Sequence, residues 1–173
     1  MARSIAELFQ RLTTGIYVIG VADGNRRDAF TAAWLTQVSF DPLMVALSVN
    51  PDNASHAMLK NSGRFAVTIL KQEQLELARH FGTRSGADTD KLAPIDWAET
   101  PAGMPYLKAA LAWLDCRVNT ITPAGDHELV LASVHAGELL DAEAVPMSDA
   151  ETGNMDNSAA LFPASFPSDH GHS

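Results

Sequence analysis

Cysteine is almost absent. The 173-residue chain has one, Cys116, so no internal disulfide framework can hold the fold and a packed core must do so. Among the six histidines none stands at a metal-ligand spacing from another His or a Cys, except His170-Gly171-His172 at the very end. That argues against a zinc site, which needs three or four converging ligands. No run approaches the roughly 18 consecutive apolar residues of a membrane span, and the N-terminus has an amphipathic pattern where a secretory signal would put a continuous apolar block. A soluble, cytoplasmic protein is therefore expected, with no membrane partner. No Gly-rich dinucleotide fingerprint and no Gly-Lys-Ser/Thr phosphate loop occurs, and no Gly-x-Ser-x-Gly elbow presents a serine nucleophile. Nor does any stretch form a basic stripe interleaved with aromatics, which argues against nucleic acid as a partner.

What is present is a chain that is 46% hydrophobic, enough for one domain with a sizeable core. The net charge of -9 is unevenly spread. From Asp141 onward there are six acidic residues and no Lys or Arg, so the preceding body carries 15 acidic against 12 basic residues. The expected organisation is a body over residues 1–140 and an acidic, extended tail over 141–173. In the tail Leu161, Phe162 and Phe166 are the apolar residues available to drape over the body or a partner subunit, and Asp169 to Ser173 is expected to be disordered.

Ile5, Leu8, Phe9 and Leu12 recur at helical spacing after Ser4, predicting a capped helix over 4–13 whose apolar stripe seals one end of the core. Gly15 to Val21 reads as a strand, Asp23-Gly24-Asn25 as a hairpin turn, and a second strand starts near Ala29. Phe30 to Asn50 reads as two strands joined at Asp41-Pro42. Short helices are expected over Ala54 to Asn61 and Glu73 to Phe81, with a strand over Arg64 to Leu70 between them. Gly82 to Pro105 is irregular, and a loop of that length inside a compact domain is usually functional or mobile. Two long strands, Ala110 to Ile121 and Glu128 to Leu140, close the body. Period-two alternation puts Cys116 with Leu114 and Val118, as a buried structural thiol and not a nucleophile. Six or seven mostly antiparallel strands with three short helices predict a mainly β protein, a barrel more than a doubly wound sheet.

Several short motifs occur in a fixed order: Thr31-Ala32, Ser39-Phe40-Asp41-Pro42, Val45-Ala46-Leu47-Ser48-Val49-Asn50, Ser55-His56, Gly63-Arg64-Phe65-Ala66-Val67, Leu114-Asp115-Cys116-Arg117-Val118 and Ala124-Gly125-Asp126-His127. Each is weak alone. The ordered set, over roughly residues 10 to 140, resembles the flavin reductase family, small FMN-binding split barrels of Greek-key-like antiparallel topology.

The resemblance implies sites residue by residue. It places a flavin ring beside Thr31, Ala32, Ala33, Trp34, Leu35 and Thr36, the ribityl chain along Ser48, Val49 and Asn50, and the phosphate at Asn53, Ser55 and His56. Phe81 and Lys91 would bring an aromatic wall and a charge. Asp126 and His127 would face the nicotinamide of NAD(P)H, Asp126 fixing the His127 tautomer. The plainer readings of these residues are Trp34 as a core or interface anchor, Ser55 as an ordinary helix cap and His127 as the first residue of a strand. The implied cofactor is FMN, or FAD in its place. The implied activity is hydride transfer from NAD(P)H to flavin by a homodimer, with free flavin or a flavin-dependent monooxygenase as acceptor. The alternatives are a flavoredoxin-like electron carrier that does not use free nicotinamide and, ranked last, a haem-binding barrel. Many family members end in a strand close to Pro-Leu-Val-Tyr-Phe; here Val145 to Asp156 departs from that pattern.

Overall fold

The computed structural model describes residues 4–168; the expectations for Asp169 to Ser173 and the His170–His172 pair lie outside them. The continuous apolar run Tyr17–Asp23 forms β1, and Arg26–Ala32 forms β2. Gly24, at φ 58°, lets the two close into a tight hairpin, because two-residue loops need positive φ. Leu35–Phe40 (β3) and Leu43–Val49 (β4) make the next antiparallel pair, and Arg64–Ile69 is β5. Ala112–Ala124 (β8) and His127–Leu139 (β9), 13 residues each, form a long hairpin turned by Gly125-Asp126. Helix α1 spans Ile5–Phe9, α2 His56–Ser62 and α3 Leu75–Gly82. A separate two-stranded hairpin pairs Trp97–Glu99 (β6) with Pro105–Leu107 (β7).

The seven-stranded sheet is antiparallel in the order β2-β1-β5-β8-β9-β4-β3. Its outermost strands, β2 and β3, are joined by only Ala33 and Trp34, so the chain itself draws the two edges together and the sheet curls on itself. The enclosed cluster confirms this. Ile19, Val21, Phe30, Val45, Leu47, Val49, Phe65, Val67, Cys116, Val130 and Ala132 come from six of the seven strands, Leu35 of β3 packs against them, and Met58 and Leu59 of α2 plug one end. This is the mainly β split barrel expected from the sequence. A second cluster lies on the other face of β1 and β2, where Ile16, Val18 and Ala29 meet Ala78 and Phe81 of α3, Leu92, Leu107 and Met147. Strand β1 is thus buried on both sides, which is why it reads as a continuous apolar run.

Several expectations are corrected. Phe30–Asn50 holds the end of β2 and two further strands, because Ala33 turns to the second cluster while Leu35 turns inward. The Gly82–Pro105 stretch contains β6. Helix α1 keeps its capping box, Ser4 with Glu7, but buries only Ile5; Leu8, Phe9 and Leu12 stay exposed, and Phe9 meets Phe162 at 5.4 Å. In the tail the anchors are Met147 and Met155, with Phe162 only half-buried and Leu161 and Phe166 exposed. The reason lies in the backbone: Met147 donates to Leu70 O and accepts from Ile16 N, each at 3.0 Å, so the tail threads between the segments before β1 and after β5.

Candidate functional site

Residues 31–36 run along the seam where the barrel edges meet. The Thr31 hydroxyl donates to Ala78 O of α3 at 2.7 Å, tying β2 to the helix, and Ala32 pairs with Tyr17. Trp34 leaves the ladder, its carbonyl accepting from Ser48 N at 2.9 Å, and its ring is 54% exposed. Thr36 is exposed on β3. The segment therefore offers one large aromatic face and a small-residue backbone to the outside.

Beside Thr31 opens a cavity of about 300 Å³, at the lower end of the size range of ligand pockets. Four predicted residues line it together: Thr31, Asn53, Phe81 and Lys91. Phe81 is fully buried and meets His80 edge-on, supplying an apolar wall. Lys91 is only 3% exposed, and its ammonium lies 3.4 Å from Asp28 Oδ1. Sequence reasoning missed the other polar wall, Thr83, Arg84 and Ser85, directly after α3. The available signal was a cation and two hydroxyls in the long loop, which the resemblance did not single out. With Lys91, these groups form a donor-rich, cationic lining in which Asp52 is the one acid, a set suited to a phosphate.

Other predicted residues go elsewhere. Ser48 is half-buried, and Val49 points into the barrel core at 2% exposure. Asn50 and Asn53 shape the connecting loop: Asn50 Oδ1 accepts from Asp52 N and Asn53 Oδ1 from Ser55 N, each at 2.9 Å. Ser55 begins α2 without a side-chain cap bond; its fully buried hydroxyl donates to Asp28 Oδ2. His56 is buried and turned to β9, its Nε2 2.5 Å from Glu128 Oε2, with Lys60 also beside Glu128. The His56 hydrogen bond, helped by Lys60, holds the Glu128 carboxyl below its ordinary value.

At the β8–β9 turn, His127 lies with its ring centroid 4.9 Å from that of Trp34. Its Nδ1 is 2.7 Å from Asp126 Oδ1, and that bond lowers the Asp126 pKa. Two residues 93 positions apart in the chain, Trp34 expected beside the flavin ring and His127 facing the nicotinamide, are thus in contact. Trp34 follows Thr31 by three residues, so the aromatic pair and the cavity lie within about 11 Å of chain, the reach of a ring with a phosphate-bearing arm. A larger groove of about 520 Å³ lies by Arg27 and Glu99, which pair at 2.9 Å, and includes none of the predicted residues. Among the described residues no cluster of three or more His, Cys, Asp or Glu could hold a metal, and no helix is long and apolar enough to cross a membrane.

The solved structure of the NADH:FAD oxidoreductase SgcE6 of Streptomyces globisporus superposes with a TM-score of 0.78 at 28% identity, over 84% of this chain and 86% of that one. The reductase subunit HsaB of a flavin-dependent monooxygenase from Rhodococcus jostii is 31% identical over 132 residues, 76% of this chain and 66% of that protein. Diflavin flavoprotein A 1 of Synechocystis sp. is 31% identical over 134 residues, 77% of this chain but 23% of its own length. The chain spans about a quarter of the length of the diflavin flavoproteins it matches. The flavin reductase-like domain model matches residues 9–154, nearly the whole described body, and the chain belongs to that family.

Proposed function

We propose that this protein is an NAD(P)H:flavin oxidoreductase that holds FMN, or FAD in its place, at the barrel seam. The observation that carries the reading is the convergence of Asn53, Arg84, Ser85 and Lys91 on one cavity a few residues from the Trp34–His127 pair. Lys91 and Arg84 balance the charge of the phosphate, while Ser85 and Asn53 donate hydrogen bonds to its oxygens. The aromatic wall of Phe30 and Phe81 keeps water from the apolar side. When bound, a flavin would supply the redox chemistry as acceptor of a hydride from NAD(P)H, so no acid–base dyad is required of the protein.

The rest falls to positioning by the protein. Trp34 presents its face where flat rings stack, and His127 packs against it. Asp126 accepts from Nδ1–H of His127, which keeps the neutral ring's lone pair on Nε2, free to accept from an incoming amide. Ser48 and Asn50 supply backbone along the arm between ring and phosphate. Ser55 and His56 serve the phosphate end indirectly, by fixing the loop that carries Asn53.

A homodimer fits the same reading. Strand β3 is an outer strand, and Val38, Phe40 and Leu43 on this hairpin are 50%, 89% and 47% exposed, an apolar strip left uncovered by a single chain. Cytoplasmic residence agrees with a single buried thiol and with NAD(P)H as reductant. The reducing equivalents would go to free flavin or to a flavin-dependent monooxygenase as acceptor, as the likeness to HsaB supports. The test is a flavin titration of wild type and Arg84→Ala: the wild type is expected to bind FMN, and the variant to bind it roughly tenfold more weakly. Equal affinities would remove Arg84 from the site.

A further inference from the structure

Asp28 carries none of the roles assigned so far, yet it is the most heavily engaged carboxylate in the molecule's interior. It sits on β2 at 7% exposure. Its Oδ1 accepts from Ala29 N at 2.8 Å and lies 3.4 Å from the Lys91 ammonium, while Oδ2 accepts from the Ser55 hydroxyl. Gly86 passes so close to this carboxylate that a Cβ there would collide with it. One side chain on β2 therefore borders both loops of the cavity, residues 50–55 at Ser55 and residues 83–91 at Gly86, and its ionic partner in the second is Lys91. The Lys91 backbone is clamped independently, its carbonyl 2.7 Å from His80 Nε2, with Leu92 packed in the second cluster.

We infer that Asp28 is a positioning residue for the phosphate end of the flavin, acting through Lys91. The inference rests on the flavin reading above. Lys91 lines the cavity and Asp28 does not, so the pair is oriented with its positive end toward the ligand. Two effects of the carboxylate compete. Its negative charge repels a phosphate, but it is shielded behind Lys91. Without it, an ammonium at 3% exposure would be a buried unpaired charge, which is costly enough to drive the side chain out to water. Positioning therefore outweighs repulsion.

The experiment measures equilibrium affinities for FMN and for riboflavin, which shares the ring and ribityl chain but lacks the phosphate. Asp28→Asn keeps shape and one acceptor. It is expected to weaken FMN binding roughly tenfold or more while leaving riboflavin within about twofold of wild type, the loss of one charge-assisted contact. In a Lys91→Gln background the same substitution is expected to leave the FMN-to-riboflavin ratio unchanged. Should Asp28→Asn fail to fold, the double variant, with the pair neutralised together, still gives this second comparison. Equal weakening of both ligands, a tighter FMN complex, or a further change of the ratio in the Lys91→Gln background would overturn the inference while leaving the flavin site standing. Failure of wild type to bind either flavin would overturn the functional reading as well.

Discussion

The single thiol shows how burial decides chemistry at the scale of one residue. Cys116 is 1% exposed in the barrel core, and desolvation, with Asp115 next to it, pushes its pKa up to about 12. The thiolate needed for alkylation is therefore scarce at neutral pH. Iodoacetamide is expected to leave the folded protein unmodified and to label it once unfolded; labelling of the native state, read by mass spectrometry, would contradict this. Individual residues were only partly legible in the sequence. Thr31, Asn53, Phe81 and Lys91 meet in one cavity, but His56 turns to Glu128 and Ser55 to Asp28. Those partners stand 72 and 27 positions away, so no local pattern could reveal them. Arg84 was missed for the complementary reason: a cation in a polar loop gains meaning only when the cavity beside it is seen.

Elements are held by a few cross-links whose pH dependence follows from their chemistry. The His56–Glu128 contact fastens the start of α2 to β9, one residue from His127. Because the folded-state pKa of Glu128 is lowered, the stability it contributes is present above its ordinary value of 4.5 and is lost as pH falls through the lowered value. Glu128→Gln is expected to lower Tm near neutral pH and to converge with wild type in acid. A Tm gap that stays constant with pH would show that the carboxylate's charge is not what holds the helix. Element types were readable from periodicity and turn residues. What escaped was the break at Ala33-Trp34, where the apolar run Ala32 to Leu35 carries no Gly or Pro to mark the point at which the chain changes partner strand. The β6–β7 hairpin was hidden similarly, its three-residue strands being too short to show a period.

On the scale of the whole molecule, closure of the sheet places the turn of the β8–β9 hairpin against the β2–β3 seam, His127 on Trp34, so the proposed site is assembled only once the barrel has formed. The apolar strip of β3 and β4 extends this to assembly. Light scattering of wild type is expected to give the mass of a dimer, and Phe40→Asp that of a monomer; a monomeric wild type would refute the strip's role. The tail shows why composition misleads: Leu161 and Phe166 remain outside, and Met147 is anchored by main-chain bonds that no side-chain pattern records. The central claim is that the barrel seam binds flavin and delivers it hydride from a nicotinamide. Anaerobic addition of NADH or NADPH to the FMN-loaded protein, followed in the visible spectrum, tests it most directly. Rapid loss of the oxidised-flavin band with either nucleotide is the predicted result; a band that persists with both, in protein that has bound FMN, would contradict the reductase reading and favour an electron carrier served by another protein.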